Sequence, residues 1–217
     1  MTHEFKTPIS SINISADVLA SPNIIEQPQR LKSYSAIIKQ ENQRLNNLVE
    51  KVLQIAHIEK GGYELKKEAI QLNNLITEVV ENHQRQCANG RSITFTVQLS
   101  PEIKEVLADK LHLTNIIYNL LDNAVKYSGV VPQVTVTTSM NRDKIRLIVS
   151  DNGPGIDTEY QKKIFQKFFR IPTGNVHNVK GFGLGLYYVL KVCEAHGWKL
   201  YLESKVGKGS DFIIEMI

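Results

Sequence analysis

The sequence of 217 residues contains only two cysteines, Cys87 and Cys193, and they lie far apart. So few cysteines exclude a disulfide framework and a cysteine-based zinc site, and they fit a reducing compartment. The sequence also lacks any run of about 18 apolar residues, which is the length that a membrane-spanning helix needs. We therefore interpret both cysteines as packing residues in a chain of cytosolic character.

The sequence has no concentration of positive charge. Lysine and arginine together number 26 against 22 acidic residues, so the formal net charge is +4. The basic pairs Lys66-Lys67 and Lys162-Lys163 are short and are better interpreted as solvated faces than as a nucleic-acid surface. Apolar residues make up 42% of the chain and charged residues 22%, which is ordinary for a folded protein. We expect no nucleic-acid partner.

The first part of the chain predicts a helical hairpin. Apolar residues three or four positions apart predict a helix over residues 2–19, which the sequence Ser21-Pro22-Asn23 ends. A second helix is predicted over residues 28–59, where apolar residues recur every seven positions. The recurring residues are Leu31, Ile38, Leu45 and Val52, with Tyr34, Leu48 and Ile55 on the alternate seam. Two glycines, at positions 61 and 62, end this helix.

This apolar seam is too large for two helices to bury. We therefore expect the hairpin to pair with a second copy as a four-helix bundle, which makes the protein a homodimer. The alternative is that the seam docks onto the C-terminal part of the same chain.

The remaining residues alternate between strand and helix patterns. The predicted strands cover residues 92–99, 133–139, 144–150, 199–203 and 210–215, and the predicted helices cover residues 72–87, 109–126 and 183–196. This order predicts an α+β fold, in which a helical hairpin (residues 1–61) precedes a layered α/β sandwich (residues 62–217).

Residues 157–180 have the least regular pattern. Three phenylalanines, Phe165, Phe168 and Phe169, could dock this segment, and Pro172 and Gly174 lie toward its other end. We predict a lid over a pocket.

The predicted helix over residues 109–126 carries a polar stripe. Asn119, Asn123, Lys126 and Tyr127 share one face. The other face is apolar and consists of Leu113, Ile117, Leu120, Leu121 and Ala124. Amide oxygens suit Mg²⁺ and a lysine suits a phosphate, so a polar ligand would explain the stripe. Taken alone, the stripe is better explained as the solvated side of an amphipathic helix, and the glycine motifs described next reverse that judgement.

The first glycine motif is DNGPGID. Asp151 ends the apolar strand IRLIVS at a crevice, where its carboxylate could accept a hydrogen bond from the exocyclic amine of adenine. Gly153 and Gly155 would let the backbone approach the base closely, beside Ile156. The alternative is a plain Asp-Asn-Gly turn.

The second glycine motif is GFGLGL. Gly181, Gly183 and Gly185 precede an apolar helix, so free amides at its N-terminus could hold phosphates. We include the intervening and following residues among the candidate nucleotide-binding residues, namely Phe182, Leu184 and Leu186.

Four segments, HEFKTP, NLLDNAVKYS, DNGPGID and GFGLGL, occur in this order. Together they resemble the sensor histidine kinases of bacterial two-component signalling, over nearly the whole chain. The resemblance implies ATP and Mg²⁺ as ligands and an ATP-binding domain of the type shared with gyrase and heat-shock chaperones. It makes Asn123 the direct magnesium ligand, with Asn119 beside the triphosphate and the metal, and places Tyr127 near the adenine. Arg170 matches the family's lid arginine, whereas Phe182 departs from the small residue that is usual there.

The same resemblance makes His3 the nucleophile that accepts the γ-phosphoryl group, with Glu4 as proton acceptor for its other ring nitrogen. Thr7 would position a water that dephosphorylates the partner, which is the receiver domain of a response regulator. Taken alone, a His-Glu pair near a chain end is better explained as solvated.

One position bears on hydrolysis. In related ATPases of this fold a glutamate stands four residues before the magnesium asparagine and activates water, and Asn119 occupies that place here. Because an amide cannot accept a proton from water at neutral pH, the resemblance implies transfer to His3 in preference to hydrolysis. The alternative is a nucleotide-binding interaction scaffold without kinase activity.

Because His3 stands so close to Met1, we expect the chain to be the cytoplasmic portion of a longer, membrane-anchored bacterial receptor. Its attachment to the membrane would lie in segments that precede this chain.

Overall fold

The computed structural model describes residues 2–59, 64–87, 92–129, 131–172 and 182–217, with side chains from Phe5 onward. The chain divides into two compact units, Met1–His57 and Ile58–Ile217. No helix in the described ranges combines the length with the apolar character that crossing a membrane requires.

The first unit is the predicted helical hairpin. Helices α1 (Thr2–Leu19) and α2 (Pro28–Glu59) have the predicted bounds, and α2 continues two residues into the second unit. Where the sequence predicted a break, Pro22–Glu26 form a 3₁₀ turn. Proline at the start of α2 and of the 3₁₀ turn favours both, because its fixed φ suits a first helical turn and its missing N–H is not needed there.

The hairpin buries only part of its apolar seam. Leu48 and Ile55 are fully buried, whereas Leu31 is 40% exposed and Leu53 is 53% exposed. Other apolar side chains of this unit are also exposed, namely Ile9, Ile14, Ile25 and Val49. A substantial apolar surface of the hairpin therefore remains uncovered within one chain.

The second unit is the predicted α/β sandwich. Its elements are β1 (Lys67–Ile70), α3 (Leu72–Cys87), β2 (Thr94–Gln98), β3 (Val106–Asp109), α4 (Lys110–Tyr127), β4 (Gln133–Asn141), β5 (Lys144–Asp151), α5 (Thr158–Gln161), α6 (Gly185–His196), β6 (Lys199–Ser204) and β7 (Ser210–Met216). A five-stranded sheet has the order β2-β4-β5-β7-β6, in which β2 runs parallel to β4 and the other neighbours are antiparallel. The short strands β1 and β3 pair with each other in a second sheet.

The core of this unit lies between the five-stranded sheet and helices α3, α4 and α6. Alternate residues of β4 are buried, as the period of a strand with one covered face requires. On α4 the predicted apolar face is buried throughout, with Leu113, Ile117, Leu120 and Leu121 at 0% and Ala124 at 2% exposure. Burying each such leucine or isoleucine side chain stabilises the folded state by about 1.5–3 kcal/mol relative to leaving it exposed. This burial fixes the rotation of α4 and therefore the direction of its polar stripe.

Asp109 fastens the start of α4 to two other elements. Its carboxylate accepts hydrogen bonds from the backbone N–H of His112 at 3.2 Å, as an N-cap, and from that of Lys66 at 3.0 Å. Its own N–H donates to His196 Nε2, at the end of α6, at 3.1 Å. Burial lowers the pKa of His196, so its ring is neutral and can accept this bond. Helices α4 and α6 are thus held at a fixed spacing.

Candidate functional site

The polar stripe of α4 faces the start of α6. A Cβ placed on Gly185 would lie 2.9 Å from Asn119 Oδ1 and 3.9 Å from Asn123 Nδ2, so a side chain at this position would displace the Asn119 amide. The Asn119 amide nitrogen donates to the backbone oxygen of Asn115 at 2.7 Å, which leaves its oxygen directed at α6. Two segments that the sequence analysis singled out separately are therefore adjacent.

The N-terminus of α6 is available to an anion. The helix begins at Gly185, two residues later than predicted, and no side chain in the described part of the chain caps its first turn. Leu184, just before it, is 1% exposed and anchors the turn in the core, while Leu186 is half-buried. Uncapped amides at a helix start carry a partial positive charge, which favours phosphate.

The residues before α6 pack against the start of the predicted lid. Gly183 has φ +64°, and a Cβ there would lie 2.7 Å from the backbone oxygen of Phe169. The N–H of Phe168 donates to the carbonyl of Gly183 at 3.0 Å. Phe182 is half-buried, and Gly181 lies outside the described residues. The second glycine motif therefore supports the lid base as well as α6.

The predicted lid begins with more regular structure than expected. The short helix α5 and a 3₁₀ turn at Lys163–Phe165 occupy its first part, and Asp157 caps α5 by accepting from the N–H of Glu159 at 3.0 Å. Phe165 packs edge-on against Phe212 of β7, with ring centroids 6.4 Å apart. Arg170 is exposed, and residues 173–180 lie outside the described residues.

Asp151 ends β5 beside the last turn of α4. The N–H of Gly153 donates to Asp151 Oδ1 at 2.8 Å. A Cβ on Gly153 would lie 2.7 Å from that same oxygen and 2.7 Å from the backbone oxygen of Tyr127. Burial raises the pKa of Asp151, an effect that backbone hydrogen bonds from Gly153 and Ser210 partly offset. A half-buried carboxylate thus stands at the end of the polar stripe.

The turn between β6 and β7, residues 205–209, clamps the DNGPGID loop. Gly155 has φ +71°, and a Cβ on it would collide with the backbone oxygen of Lys205. The N–H of Ile156 donates to Ser204 Oγ at 2.8 Å. The supporting role of this turn was not predicted from the sequence, because only the folded sheet brings the two loops together.

Substitution of Gly155 tests the clamp. Gly155→Ala should lower the free energy of unfolding by about 1–3 kcal/mol more than Gly207→Ala does, because the added methyl group meets the backbone of Lys205. Gly207 is the matched control, since it also has a positive φ of +79° but a Cβ there has no heavy atom within 4 Å. Urea unfolding followed by the fluorescence of Trp198 measures both changes. Equal losses would show that the loop is not clamped.

Lys126 and Tyr127 lie at the exposed end of the stripe. Tyr127 is 46% exposed. Lys126 Nζ lies 3.4 Å from Asp122 Oδ2, and Asp122 Oδ1 lies 2.9 Å from Nε2 of the buried His83. Burial opposes ionisation of Asp122, but His83 and Lys126 outweigh it, so the pKa of Asp122 is lowered. Asp122 and His83 were not predicted from the sequence as site residues, although Asp122 lies inside NLLDNAVKYS.

The three segments together fit a nucleotide and a hard cation. Gly153 and Gly185 let these segments approach more closely than a Cβ would allow, and an uncapped helix start faces two amides. No group of three histidine, cysteine or acidic residues suited to a metal occurs in the described ranges, so a cation here would rest on the asparagine oxygens.

The residues predicted to carry the chemistry at the N-terminus lie on α1. His3 and Glu4 are within the helix, but their side chains lie outside the described residues. Thr7 is exposed one turn further along. Their proposed roles stay predictions from the sequence.

Two family models match the chain. The model described as histidine kinase-, DNA gyrase B- and HSP90-like ATPase matches residues 108–216, and the model described as His Kinase A (phospho-acceptor) domain matches residues 1–61. The first covers all three segments of the candidate site, and the second covers the hairpin.

Among curated proteins, the chain is 40% identical to the sensor protein RprX of Bacteroides fragilis over 220 aligned residues. It is 28% identical to the sensor protein SrrB of Staphylococcus aureus over 218 aligned residues. Both matches cover the whole chain but only 42% and 36% of the relatives, so the chain spans less than half the length of these proteins.

Among solved structures, full-length ShkA in complex with AMPPNP matches 99% of the chain with a TM-score of 0.74 and 26% identity, over 44% of that protein. Histidine kinase ThkA in complex with the response regulator TrrA matches 99% of the chain with a TM-score of 0.70 and 28% identity, over 59% of that protein.

Proposed function

The chain belongs to the sensor histidine kinases of two-component signalling, and we propose from this membership that it is the catalytic core of such a kinase. The reaction is transfer of the γ-phosphoryl group of ATP to a histidine of the same protein, followed by transfer to an aspartate of a response regulator. The observation that carries the proposal is the approach of Gly185 to Asn119 and Asn123, in a chain that also carries a phospho-acceptor hairpin.

The adenine end of the site belongs to Asp151. Its carboxylate accepts from the exocyclic amine of the base, which discriminates against guanine because guanine presents a carbonyl at that position. Gly153 and Gly155 hold the backbone close to the base plane, and Ile156 and Tyr127 supply apolar and aromatic contacts. The carboxylate already accepts from Gly153, so its orientation is set before the nucleotide arrives.

The phosphate end of the site belongs to α4 and α6. Amides of the glycine motif, from Gly181 to Leu186, bind phosphate oxygens, and Lys126 adds one positive charge. Asn123 and, beside it, Asn119 would hold Mg²⁺ through their amide oxygens. A Mg²⁺ ion bound there supplies charge neutralisation of the phosphates. Arg170 in the lid contacts the nucleotide or the phospho-acceptor helix.

The accepting group is His3. A neutral imidazole is a nucleophile at physiological pH, and Glu4 takes the proton from its second nitrogen as the phosphorus–nitrogen bond forms and the bond to ADP breaks. Thr7, one turn along α1, positions the water that removes phosphate from the response regulator.

Asn119 separates this chemistry from ATP hydrolysis. It stands where related ATPases carry a general base, and an amide cannot take a proton from water. We propose that the chain is a protein-histidine kinase (ATP:protein-L-histidine phosphotransferase) with slow hydrolysis.

The hairpin is the part of the chain to which we assign the contacts with partner proteins. Its exposed apolar residues, including Leu31 at 40% and Leu53 at 53%, are what a second copy would cover in a four-helix bundle. We propose a homodimer on which the receiver domain of a response regulator docks. We also propose that the chain is the cytoplasmic portion of a membrane-anchored receptor.

The fate of the γ-phosphate tests the proposed function. With γ-labelled ATP and Mg²⁺, we expect label to accumulate on the protein, to be lost in acid and to survive alkali, as a phosphoramidate does. Free phosphate should form more slowly than protein-bound label, because Asn119 cannot activate water. Steady phosphate release without protein-bound label would instead indicate an ATPase.

A further inference from the structure

The two carboxylate oxygens of Asp122 contact different partners. Oδ1 lies 2.9 Å from His83 Nε2 on α3, and Oδ2 lies 3.4 Å from Lys126 Nζ one turn along α4. Asp122, which lies between Asn119 and Asn123 in the sequence, therefore connects α3 to Lys126, whose ammonium group we assign to the phosphates.

The His83 side of this connection is rigid. The His83 side chain is only 3% exposed, and its ring meets Phe95 edge-on with centroids 5.8 Å apart. Its Nδ1 lies 3.5 Å from the sulfur of Cys87, and burial raises the pKa of that thiol. The neutral thiol donates weakly to Nδ1, which leaves Nε2–H to donate to Asp122. Both ring nitrogens of His83 therefore have a partner, Cys87 on one side and Asp122 on the other.

The Lys126 side is mobile by comparison. The Lys126 side chain is 41% exposed, and four rotatable bonds separate its ammonium from the helix. The Asp122 side chain is 48% exposed, but its contact with the buried His83 holds one carboxylate oxygen near α3 when Lys126 turns to a phosphate. The phosphates must therefore draw Lys126 away from a fixed negative charge.

We propose that Asp122 is a specificity-determining residue that competes with the nucleotide phosphates for Lys126. The pair of Asp122 and Lys126 presents no net charge, so the gain from binding each additional phosphate is reduced. The competition holds down affinity for the polyphosphate chain and favours release of ADP after transfer. This inference rests on the proposed ATP site.

The test is the affinity of Asp122→Asn for three ligands, measured by isothermal titration calorimetry with Mg²⁺. Asparagine keeps an oxygen that accepts from His83, so the fold is retained, and thermal unfolding checks this. We expect ATP to bind about three- to tenfold more tightly than to the wild type, ADP to gain less, and adenosine to be unchanged. ATP affinity that is unchanged or weaker would overturn the proposal.

Lys126→Met and the double variant separate the possible causes. When Asp122→Asn is combined with Lys126→Met, the gain from Asp122→Asn should shrink to less than half of its value, because the contested ammonium is gone. An undiminished gain would mean that Asp122 only repels phosphate at a distance, and the proposal would fail. If Lys126→Met leaves ATP affinity unchanged while the wild type binds ATP, this inference fails and the proposed function stands. If the wild type does not bind ATP, both fail.

Discussion

Asp151→Asn should weaken ATP binding by about a hundredfold, because it removes the charged acceptor for the amine of adenine. The carboxylate is half-buried, so water does not replace the lost bond fully. Asparagine keeps an oxygen that can accept from the N–H of Gly153, which preserves the loop. Calorimetric titration with ATP and with GTP is the measurement, and the preference for ATP should fall along with the affinity.

Asp143→Asn is the matched control for this variant. Asp143 lies in the exposed turn between β4 and β5, and the same change of charge there should leave ATP affinity within about twofold of the wild type. Wild-type affinity and base preference in Asp151→Asn would contradict the assignment of the adenine site.

The second large effect concerns the phospho-acceptor. His3→Gln should abolish acid-labile labelling by γ-labelled ATP while leaving ATP affinity unchanged, because glutamine has no nitrogen that can attack phosphorus. His57→Gln is the matched control, since His57 is exposed on α2 and lies outside the proposed site. Its labelling should match that of the wild type. Label that persists in His3→Gln would place the acceptor elsewhere.

The helices of the chain follow from local sequence. The approximate bounds predicted for α1, α2 and α3 agree with the structure, because Pro28 and the glycine pair at positions 61 and 62 act within a few positions and apolar spacing sets the buried face. The polar stripe of α4 was predicted for the same reason, since burial of the opposite face fixes its direction.

Two strands were not predicted from the sequence. Strands β1 and β3 have four residues each, and in β1 only Ile70 is buried, so no alternation marks it. They form because they pair with each other, from Lys67 opposite Asp109 to Ile70 opposite Val106. Short strands of this kind depend on a partner 36 or more positions away, which a local pattern does not contain.

The hydrogen bonds that support the candidate site also join residues that are far apart in the sequence. The contact of Ser204 with Ile156 spans 48 positions, and that of His83 with Asp122 spans 39. Motifs predict which residues would contact a nucleotide, whereas the residues that hold those motifs in place emerge only when the sheet and helices are assembled.

The position of the phosphoryl group in the wild-type protein tests the central claim most directly. After incubation with ATP and Mg²⁺, peptide mapping by mass spectrometry under alkaline conditions should find the added phosphate on the imidazole of His3. Phosphate on any other residue, or none on the protein while ATP is bound and consumed, would contradict the account.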